Sequence, residues 1–468
     1  MEVLQRTANR GSISTASAYE VDNSLKFEAD NSEYMHYTCS SQTDYERMAY
    51  SVWLKRTELS TSQVFMEFGH GTSNTSNLRI GFDDSDRLFC YGNSIVWRQT
   101  NQVFRDTSAW YHLFFLFDTT TPGGISNNRI RIWVNGSMID HTDFGVINNP
   151  GSGAAMGFNN SLNHSIGRQT EDATAYFCGY MAQVFASGGT PPVVGDFGET
   201  DSDTGIWIPK DISDITPPDA NGFNLDFSNS GSLGNDISSR NNDFTLVNIT
   251  AADQATDTPT NNFCTWTRLW TFPKVAGIEN GGTSTNADFN ASTWRGAKGS
   301  MGVSKGKWYW EQKASGNDTI VGWQTDNCVP DSGTNSHNTI STIAYYEAGN
   351  FLWIKDSTSG RNADTVSGTY AGGQIVGIAL KLDSSPQTVT FYRNGSAILS
   401  NRNIDGLANQ TLFPMTSHYN QTSDANFGGY TNFTISSGNT DENGYGNFEY
   451  APPSDYYALC SQNLALYG

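Results

Sequence analysis

Residues 129–139 read RIRIWVNGSMI and carry the clearest structural signal in the chain. Polar and apolar residues alternate from Arg129 to Ile132, the apolar run continues to Val134, and Asn135-Gly136 is followed by the apolar pair Met138-Ile139. Because Asn-Gly supplies the two positive-φ residues of a type I′ turn, this stretch predicts a β-hairpin. A second stretch, TVTFYRNGSAIL at residues 388–399, has the same form. Two hairpins separated by about 260 residues favour two β-sandwiches over one very large sheet.

The composition of the whole chain agrees with this prediction. Aromatic residues make up 13% of the chain and charged residues 16%. Aromatic and β-branched side chains fit a pleated, half-buried surface, whereas Gly, Asn, Ser and Thr supply turns. Short alternating segments such as 24–29, 64–68 and 78–82 are separated by turn-rich clusters, which is the pattern of a sandwich or barrel. The predicted fold class is therefore all-β, with two β-sandwich domains of the jelly-roll type.

The net charge restricts the possible partners. A formal charge of −20 and a pI of about 4.6 disfavour binding to nucleic acid and to anionic lipid. No stretch reaches the ~18 apolar residues of a spanning helix, and the polar start over residues 1–12 lacks the apolar core of a secretory signal. We therefore expect synthesis in a cytoplasm and no membrane insertion. The six cysteines include no Cys-x-x-Cys pair, which disfavours a zinc site: Cys39, Cys90, Cys178, Cys264, Cys328 and Cys460. In that reducing compartment we expect them to be buried thiols rather than disulfides.

Shifts in composition divide the chain into five parts. Residues 191–265 are rich in Pro, Asp, Gly, Asn and Thr but contain regular apolar islands, so they predict a structured connector rather than a disordered linker. The full division is an N-terminal arm at 1–18, a first β-sandwich at 19–190, the connector at 191–265, a second β-sandwich at 266–437 and a C-terminal tail at 438–468.

The first sandwich resembles the laminin-G-like, concanavalin A-like jelly rolls. The residues that carry the resemblance lie in short strand-like motifs: YSVWL at 50–54, WYHL at 110–113, IWVNG at 132–136, Ile166-Gly167, and the strand at 179–184. The resemblance covers about 170 residues and implies two packed antiparallel sheets.

The second sandwich resembles SPRY domains, the core of the B30.2 family. Five ordered motifs carry this resemblance: GKWYWE at 306–311, VGW at 321–323, GQIVGIALKLD at 373–383 leading into VTFYRNG at 389–395, LFPM at 412–415, and NFG at 426–428. SPRY domains are binding modules without catalytic residues, and the resemblance implies the same role here. It also places Trp308, Trp310 and Trp323 in the core.

The connector and the tail are similar to virion structural or fibre-like proteins of marine and other tailed bacteriophages. The motifs are FGET at 197–200, GIWIPK at 205–210, DTPTNNFC at 257–264 and APP at 451–453. The resemblance implies a location on the virion after synthesis in the host cytoplasm. It also implies that the chain forms a homo-oligomer. The implied partners are other virion proteins of the capsid or tail and a glycan on the host surface.

Motifs for catalysis are missing from the sequence. A retaining glycosidase needs two carboxylates about 5 Å apart, but Glu46, Glu58, Glu67 and Glu449 stand alone, and no Glu-x-Asp-x-(x)-Glu pattern occurs. The histidines show no metal-ligand spacing, and His112, inside an apolar strand, is expected to be a hydrogen-bonded structural residue. We therefore predict that the protein is not an enzyme and needs no cofactor.

Two groups of residues are candidates for binding. Asp83, Asp84 and Asp86 offer three carboxylates in one turn, as calcium prefers, although an ordinary hairpin tip explains them as well; Asp201 and Asp203 carry the same ambiguity. Aromatic rings can stack on the flat apolar faces of sugars. Beside turn-rich segments, the candidates for such stacking are Tyr345, Tyr346 and Tyr419.

These features favour a virion surface protein of fibre or decoration type that mediates adhesion to a receptor or glycan and takes part in particle assembly. Two alternatives remain open: a purely structural virion component without an external ligand, and a glycan-cleaving enzyme.

Overall fold

A computed structural model describes most of the chain and shows an all-β protein, as predicted. The described residues are 19–39, 46–70, 77–154, 157–158, 162–170, 173–268, 277–286, 294–316, 318–326, 342–347, 350–354, 362–365, 369–405 and 410–468. They contain one short α-helix, and nearly all other regular structure is β-strand. Those up to Thr260 form one compact unit and those from Asn261 onward form another. No helix among the described residues of either unit is long and apolar enough to cross a membrane.

The first unit consists mainly of two packed β-sheets. Short 3-10 helices lie at Gly123–Arg129, His141–Asp143, Val194–Asp196 and Ala251–Asp253. Its strands are β1 Ser24–Phe27, β2 Tyr34–Thr38, β3 Arg47–Arg56, β4 Gln63–His70, β5 Leu78–Phe82, β6 Arg87–Gly92, β7 Ile95–Val103, β8 Trp110–Asp118, β9 Ile130–Val134, β10 Ser137–Met138, β11 Phe144–Ile147, β12 Asn163–Ile166, β13 Gly179–Gly188, β14 Gly198–Thr200, β15 Trp207–Pro209, β16 Phe223–Leu225, β17 Thr245–Val247 and β18 Gln254–Ala255.

The strand order of the first unit is that of an antiparallel sandwich. One sheet runs β10-β9-β8-β3-β13-β1-β18, with β16 also paired to β13, and the other runs β11-β7-β6-β5-β4-β12-β2-β17. Alternate residues of each strand face the core, as Tyr50, Val52 and Leu54 do on β3. The predicted hairpin joins β9 to β10, and Asn135 and Gly136 have φ values of 48° and 76°, as a type I′ turn requires.

Residues 191–260, most of the predicted connector, fold as part of the first unit. Strand β16 pairs with β13, β17 with β2, and β18 with β1. Buried ion pairs fix the end of this segment: Lys26 Nζ lies 2.8 Å from Asp253 Oδ1, and Lys55 Nζ lies 2.7 Å from Asp257 Oδ2. Breaking such a buried pair costs about 3–5 kcal/mol because one charge stays buried without its partner. A hydrogen bond joins the beginning of the described unit to its end: the Val21 N–H donates to Thr260 Oγ1 at 3.0 Å.

A hairpin of this segment covers the outer face of the first sheet. Strands β14 and β15 pair with each other, and Phe197 and Ile212, which flank them, pack against Phe114 and Phe185 of the sheet. The ring of Trp207 lies so close to Gly136 that a Cβ there would come within 2.3 Å of it. Glycine is therefore required at position 136 both by the positive φ and by this contact.

The second unit is also built from two sheets. Its helix, α1, is Ser461–Tyr467. Its strands are β19 Gly277–Glu279, β20 Ser284–Asn286, β21 Trp294–Lys298, β22 Lys307–Ala314, β23 Thr319–Thr325, β24 Thr342–Tyr346, β25 Asn350–Ile354, β26 Asn362–Thr365, β27 Ile375–Lys381, β28 Thr388–Arg393, β29 Ser396–Asn403, β30 Leu412–Tyr419, β31 Thr422–Asn426 and β32 Tyr457–Ala458.

The core of the second unit lies between these sheets. One sheet runs β19-β20-β31-β22-β27-β28-β29, with β32 paired to β22, and the other runs β21-β30-β23-β24-β25-β26. Trp308, Trp310 and Trp323 are buried in the core, as predicted. The second predicted hairpin joins β28 to β29, and Asn394 and Gly395 have φ values of 47° and 76°.

The predicted C-terminal tail, residues 438–468, belongs to the second unit. Strand β32 extends its larger sheet by pairing in parallel with β22, and Phe448 packs edge-on against Tyr309 at 5.2 Å between ring centres. The buried carboxylate of Glu311 accepts the backbone N–H groups of Glu449 at 3.0 Å and Tyr450 at 2.9 Å. This segment is thus fixed to β22 by both packing and hydrogen bonds.

Candidate ligand-binding site

Three aromatic side chains meet at one end of the smaller sheet in the second unit. Trp294 is the first residue of β21, Tyr346 the last of β24 and Tyr419 the last of β30. The antiparallel register sets Trp294 beside Tyr419 and Tyr346 beside Ile320 of the strand between them. The Trp294 ring centre lies 5.8 Å from that of Tyr346 and 6.1 Å from that of Tyr419. All three side chains are half-buried, and we call this group the aromatic corner.

Two carboxylates adjoin the aromatic corner. The Tyr346 hydroxyl donates to Asp318 Oδ1 at 2.8 Å, and the Asp318 N–H donates to Glu347 Oε1 at 3.2 Å. Burial raises the pKa of Tyr346 to about 12, and the hydrogen bond to Asp318 and both negative charges add to this effect. The tyrosine therefore remains a neutral hydrogen-bond donor over the physiological range.

The floor beside these rings is apolar. Ile320, Ala344 and Met415 are buried, and Trp294 and Tyr346 pack against them. The arrangement combines partly exposed ring surface with fixed hydrogen-bond acceptors on a regular sheet. Such a surface can stack on the apolar face of a ligand and accept its hydrogen bonds.

The structure places the three predicted tyrosines in two different environments. Tyr346 and Tyr419 lie in the aromatic corner, but Tyr345 is fully buried in the core. Its ring lies 5.6 Å from that of Tyr370 and 5.3 Å from that of Phe391. Because side chains alternate along a strand, neighbouring residues of β24 face opposite sides of the sheet. Tyr345 therefore cannot contact a ligand at the aromatic corner, and Trp294, which the sequence did not single out, takes its place.

The predicted calcium candidates form ion pairs with arginines of the chain. Asp83 Oδ2 lies 2.8 Å from Arg87 Nη2, and the buried Asp86 bridges Arg56 at 3.1 Å and Arg105 at 2.8 Å. Asp84 is exposed. Within the described residues, no three His, Cys, Asp or Glu side chains are arranged to hold a metal ion. The ion pairs favour the hairpin-tip explanation of this turn.

The second acidic turn is also explained by local bonds. Asp201 Oδ1 accepts the backbone N–H groups of Asp203 at 3.0 Å and Thr204 at 2.7 Å. These bonds close the turn between β14 and β15.

His112 is a hydrogen-bonded structural residue, as the sequence indicated. The Trp207 indole N–H donates to His112 Nδ1 at 3.0 Å, so the ring proton is on Nε2, which lies 2.9 Å from Ser51 Oγ. Burial lowers the pKa of His112 to about 3. The neutral imidazole thus attaches the β14–β15 hairpin to the first sheet.

Two buried cysteine clusters were not predicted. The Cys178 thiol lies 3.1 Å from Glu58 Oε2 and 3.4 Å from Glu28 Oε1. Cys39 Sγ lies 3.0 Å from His164 Nε2, while the Gly69 N–H donates to His164 Nδ1 at 3.0 Å. Residues so far apart in sequence give no local pattern that would have predicted either cluster.

The chemistry of both clusters is that of neutral, buried groups. Burial raises the pKa of Cys39 to about 12 and lowers that of His164 to about 4. Burial, together with two negative charges, raises the pKa of Cys178 well above its usual value. A nucleophilic cysteine must be a thiolate, so neither arrangement activates its sulfur at neutral pH. The cysteines within the described residues are buried, as predicted, and none of them forms a disulfide; Cys328 lies outside that part.

Comparison with known proteins identifies two domain types. Residues 29–187 match the family model described as the concanavalin A-like lectin/glucanases superfamily, and residues 307–430 match the SPRY domain model. These matches confirm the two predicted domain types and their order. They do not test the predicted virion origin, which stays a prediction.

The solved structures that are similar to part of this chain include two SPRY-type domains. The SPRY domain of human HERC1 has 20% sequence identity and a TM-score of 0.25, and the match covers 32% of this chain and 91% of that one. The PSpry domain of TRIM65 has 17% identity and a TM-score of 0.27, covering 35% of this chain and 89% of that one. No curated protein matches this chain.

Proposed function

We propose that this chain, which carries a concanavalin A-like domain followed by a SPRY domain, is a non-catalytic recognition protein that binds a cell-surface glycan. We further propose that it acts on the surface of a bacteriophage particle, as a fibre or decoration protein that also contacts other virion proteins. The domain matches support a binding role. The virion setting rests on the resemblance of residues 197–210, 257–264 and 451–453 to phage proteins.

The observation that carries the glycan proposal is the aromatic corner. Trp294, Tyr346 and Tyr419 are held at strand ends, where the sheet fixes their positions without loop rearrangement. Sugar rings have flat apolar faces that pack on aromatic surface, and their hydroxyl groups donate to acceptors such as Asp318 and Glu347. Both kinds of contact are available side by side.

The proposal of a non-catalytic role rests on how the acids of the first unit are used. Glu67 is paired with Arg79 at 2.8 Å, and Glu28 and Glu58 converge on the Cys178 thiol. Glu28 is only 3% exposed and Cys178 only 2%. A glycosidase needs both of its carboxylates open to a sugar, whereas Glu28 is buried beneath the Cys178 thiol.

The test compares glycan binding by the full-length protein and by two variants of the aromatic corner. We expect the wild type to bind a subset of an array of bacterial surface glycans, and Trp294→Ala or Tyr419→Ala to weaken that binding about tenfold, equivalent to about 1.4 kcal/mol. The matched control is Tyr91→Ala, which removes a half-buried tyrosine from β6 in the other unit and should leave binding unchanged.

Two results would contradict the proposal. A wild-type protein that binds no glycan would favour the purely structural role, and unchanged binding by both corner variants would remove the aromatic corner as the site. Incubation with a broad set of polysaccharides followed by mass analysis tests the enzyme alternative. We expect no shortened products, and their appearance would overturn the non-catalytic assignment.

A further inference from the structure

We infer that the aromatic corner selects a positively charged ligand, specifically a sugar with a free amino group. This inference rests on the proposed glycan-binding function and narrows the class of ligand. Its basis is the pair of carboxylates, Asp318 and Glu347, beside the three rings.

The first step concerns charge. In the described part of the chain neither Asp318 nor Glu347 forms an ion pair, unlike Asp83, Asp86 and Asp257, which each face an arginine or lysine. Both negative charges act on the Tyr346 hydroxyl, and like charges near one another repel. A ligand that brings a positive charge would relieve this repulsion.

The second step concerns geometry. The Tyr346 hydroxyl occupies Asp318 Oδ1 and the Asp318 N–H occupies Glu347 Oε1. These two bonds fix both carboxylates in place, while the second oxygen of each has no hydrogen bond to the described residues. Asp318 has a φ of 62°, so the turn before β23 holds its side chain at the end of the sheet. Each carboxylate therefore keeps one oxygen that could accept a hydrogen bond from an ammonium group, which has three donors.

The third step concerns the rings. The Trp294 ring plane is inclined by 69° to that of Tyr346 and by 52° to that of Tyr419. The rings therefore form an angled wall rather than a flat platform. The faces of aromatic rings attract cations, so the wall and the carboxylates favour the same kind of ligand. An amino sugar can place its apolar face on one ring and its ammonium group between the acids.

The pH dependence of such binding would come from the ligand. Tyr346 interacts with both carboxylates, and Tyr370 interacts with Glu347. Tyr345 in turn interacts with Tyr370, and burial raises the pKa of all three tyrosines. Arg393 acts on Tyr345 and partly offsets the effect of burial on its pKa. The three tyrosines stay neutral between pH 5 and pH 9, because each pKa is raised above the usual tyrosine value of about 10. Loss of affinity over that range therefore reports deprotonation of the sugar amine.

The experiment measures calorimetric binding of two oligosaccharides that differ only in acetylation, at low ionic strength and pH 6. Oligomers of glucosamine carry free amines, and N-acetylglucosamine oligomers of the same length are neutral. For the full-length protein we expect at least tenfold tighter binding of the amine form. We also expect that preference to vanish at pH 9 and to shrink in high salt.

Variants assign the preference to the carboxylates. Asp318→Asn with Glu347→Gln keeps the size of each side chain and removes both negative charges, so we expect the preference for the amine form over the neutral oligomer to be lost. The control Asp84→Asn removes an exposed acid of the first unit and should keep the full preference. The pH series on the wild type gives an independent readout if the double variant folds poorly.

The outcomes separate this inference from the proposed function. Equal affinity for the two oligomers would overturn the inference and leave the glycan proposal intact, provided that Trp294→Ala still weakens both. Tighter binding of a lysine-rich peptide than of the glucosamine oligomer would overturn the assignment to a sugar. Binding of neither oligomer overturns the inference, while the wider glycan array decides the proposed function separately.

Discussion

Replacing Asp86 by alanine should destabilise the first unit more than any other change at its hairpin tip. Asp86 is fully buried and faces Arg56, which is also fully buried, at 3.1 Å. It also accepts the Ser60 N–H at 2.8 Å and binds Arg105 at 2.8 Å. Burial alone would raise the pKa of Asp86, but the Ser60 N–H and the two guanidinium groups hold that pKa below its usual value. The carboxylate is therefore stabilised in its charged form.

The size of the effect follows from what remains after the substitution. Arg56 would keep its bond to the Phe104 carbonyl at 2.7 Å and its contact with the Phe82 ring, but it would lose its carboxylate inside the core. Removing one partner of a buried ion pair costs about 3–5 kcal/mol. Replacing both partners with apolar residues, as in Arg56→Met with Asp86→Leu, should recover much of this loss because no charge then stays buried.

Calorimetry and urea unfolding of the full-length protein provide the measurement. The matched control is Asp84→Ala, two residues away and exposed, which should change the free energy of unfolding by less than about 0.5 kcal/mol. Because the folded pKa of Asp86 is lowered, its stabilisation is present above the usual pKa of 3.8 and is lost as the pH falls through the lowered value. A cost below about 1 kcal/mol for Asp86→Ala would refute the reasoning.

Three further predictions concern other parts of the molecule. Burial raises the pKa of Glu311 from 4.5 to about 7, so the unfolding free energy of the second unit should fall by up to about 3 kcal/mol as the pH rises through that range; a calorimetric pH series on Glu311→Gln should lack this step. Trp207→Phe removes the donor to His112 Nδ1 and should cost about 1–2 kcal/mol, seen as faster proteolysis between residues 198 and 209; equal cleavage rates would count against the role of this bond. The buried cysteines should react with a thiol reagent at pH 8 only after unfolding, and rapid modification of Cys178 in the native protein would contradict its raised pKa.

Local sequence patterns predicted the elements whose structure depends on neighbouring residues. Both Asn-Gly turns adopt the positive φ values that join consecutive strands, and alternate residues of β3 and β22 line the main cores of the two units. Long-range pairing had no such signal. Strand β17 joins a sheet through β2, which lies about 200 residues earlier in the chain. The segment 191–265 therefore read as a connector, although residues up to Thr260 complete the first unit.

The candidate site was predictable to the same extent. Tyr346 and Tyr419 stood out because each ends a strand beside a turn-rich segment, but the sequence did not show which of the neighbours Tyr345 and Tyr346 faces outward. That choice depends on the register between β23 and β24. Trp294 joins the site through its strand pairing with Tyr419 and its ring contact with Tyr346, neither of which is visible in the local sequence. The convergence of Glu28 and Glu58 on Cys178 likewise depends on tertiary structure alone.

The bond between the Val21 N–H and Thr260 Oγ1 has a consequence for protein engineering. A domain whose two ends adjoin can be inserted into a surface loop of a host protein without stretching that loop. The same adjacency allows circular permutation, in which a short Gly-Ser bridge joins Thr260 to Val21 and new termini are opened at an exposed turn such as Asn93-Ser94. The first sandwich can therefore be inserted into another protein, or given new termini, while the strand order within its two sheets stays the same.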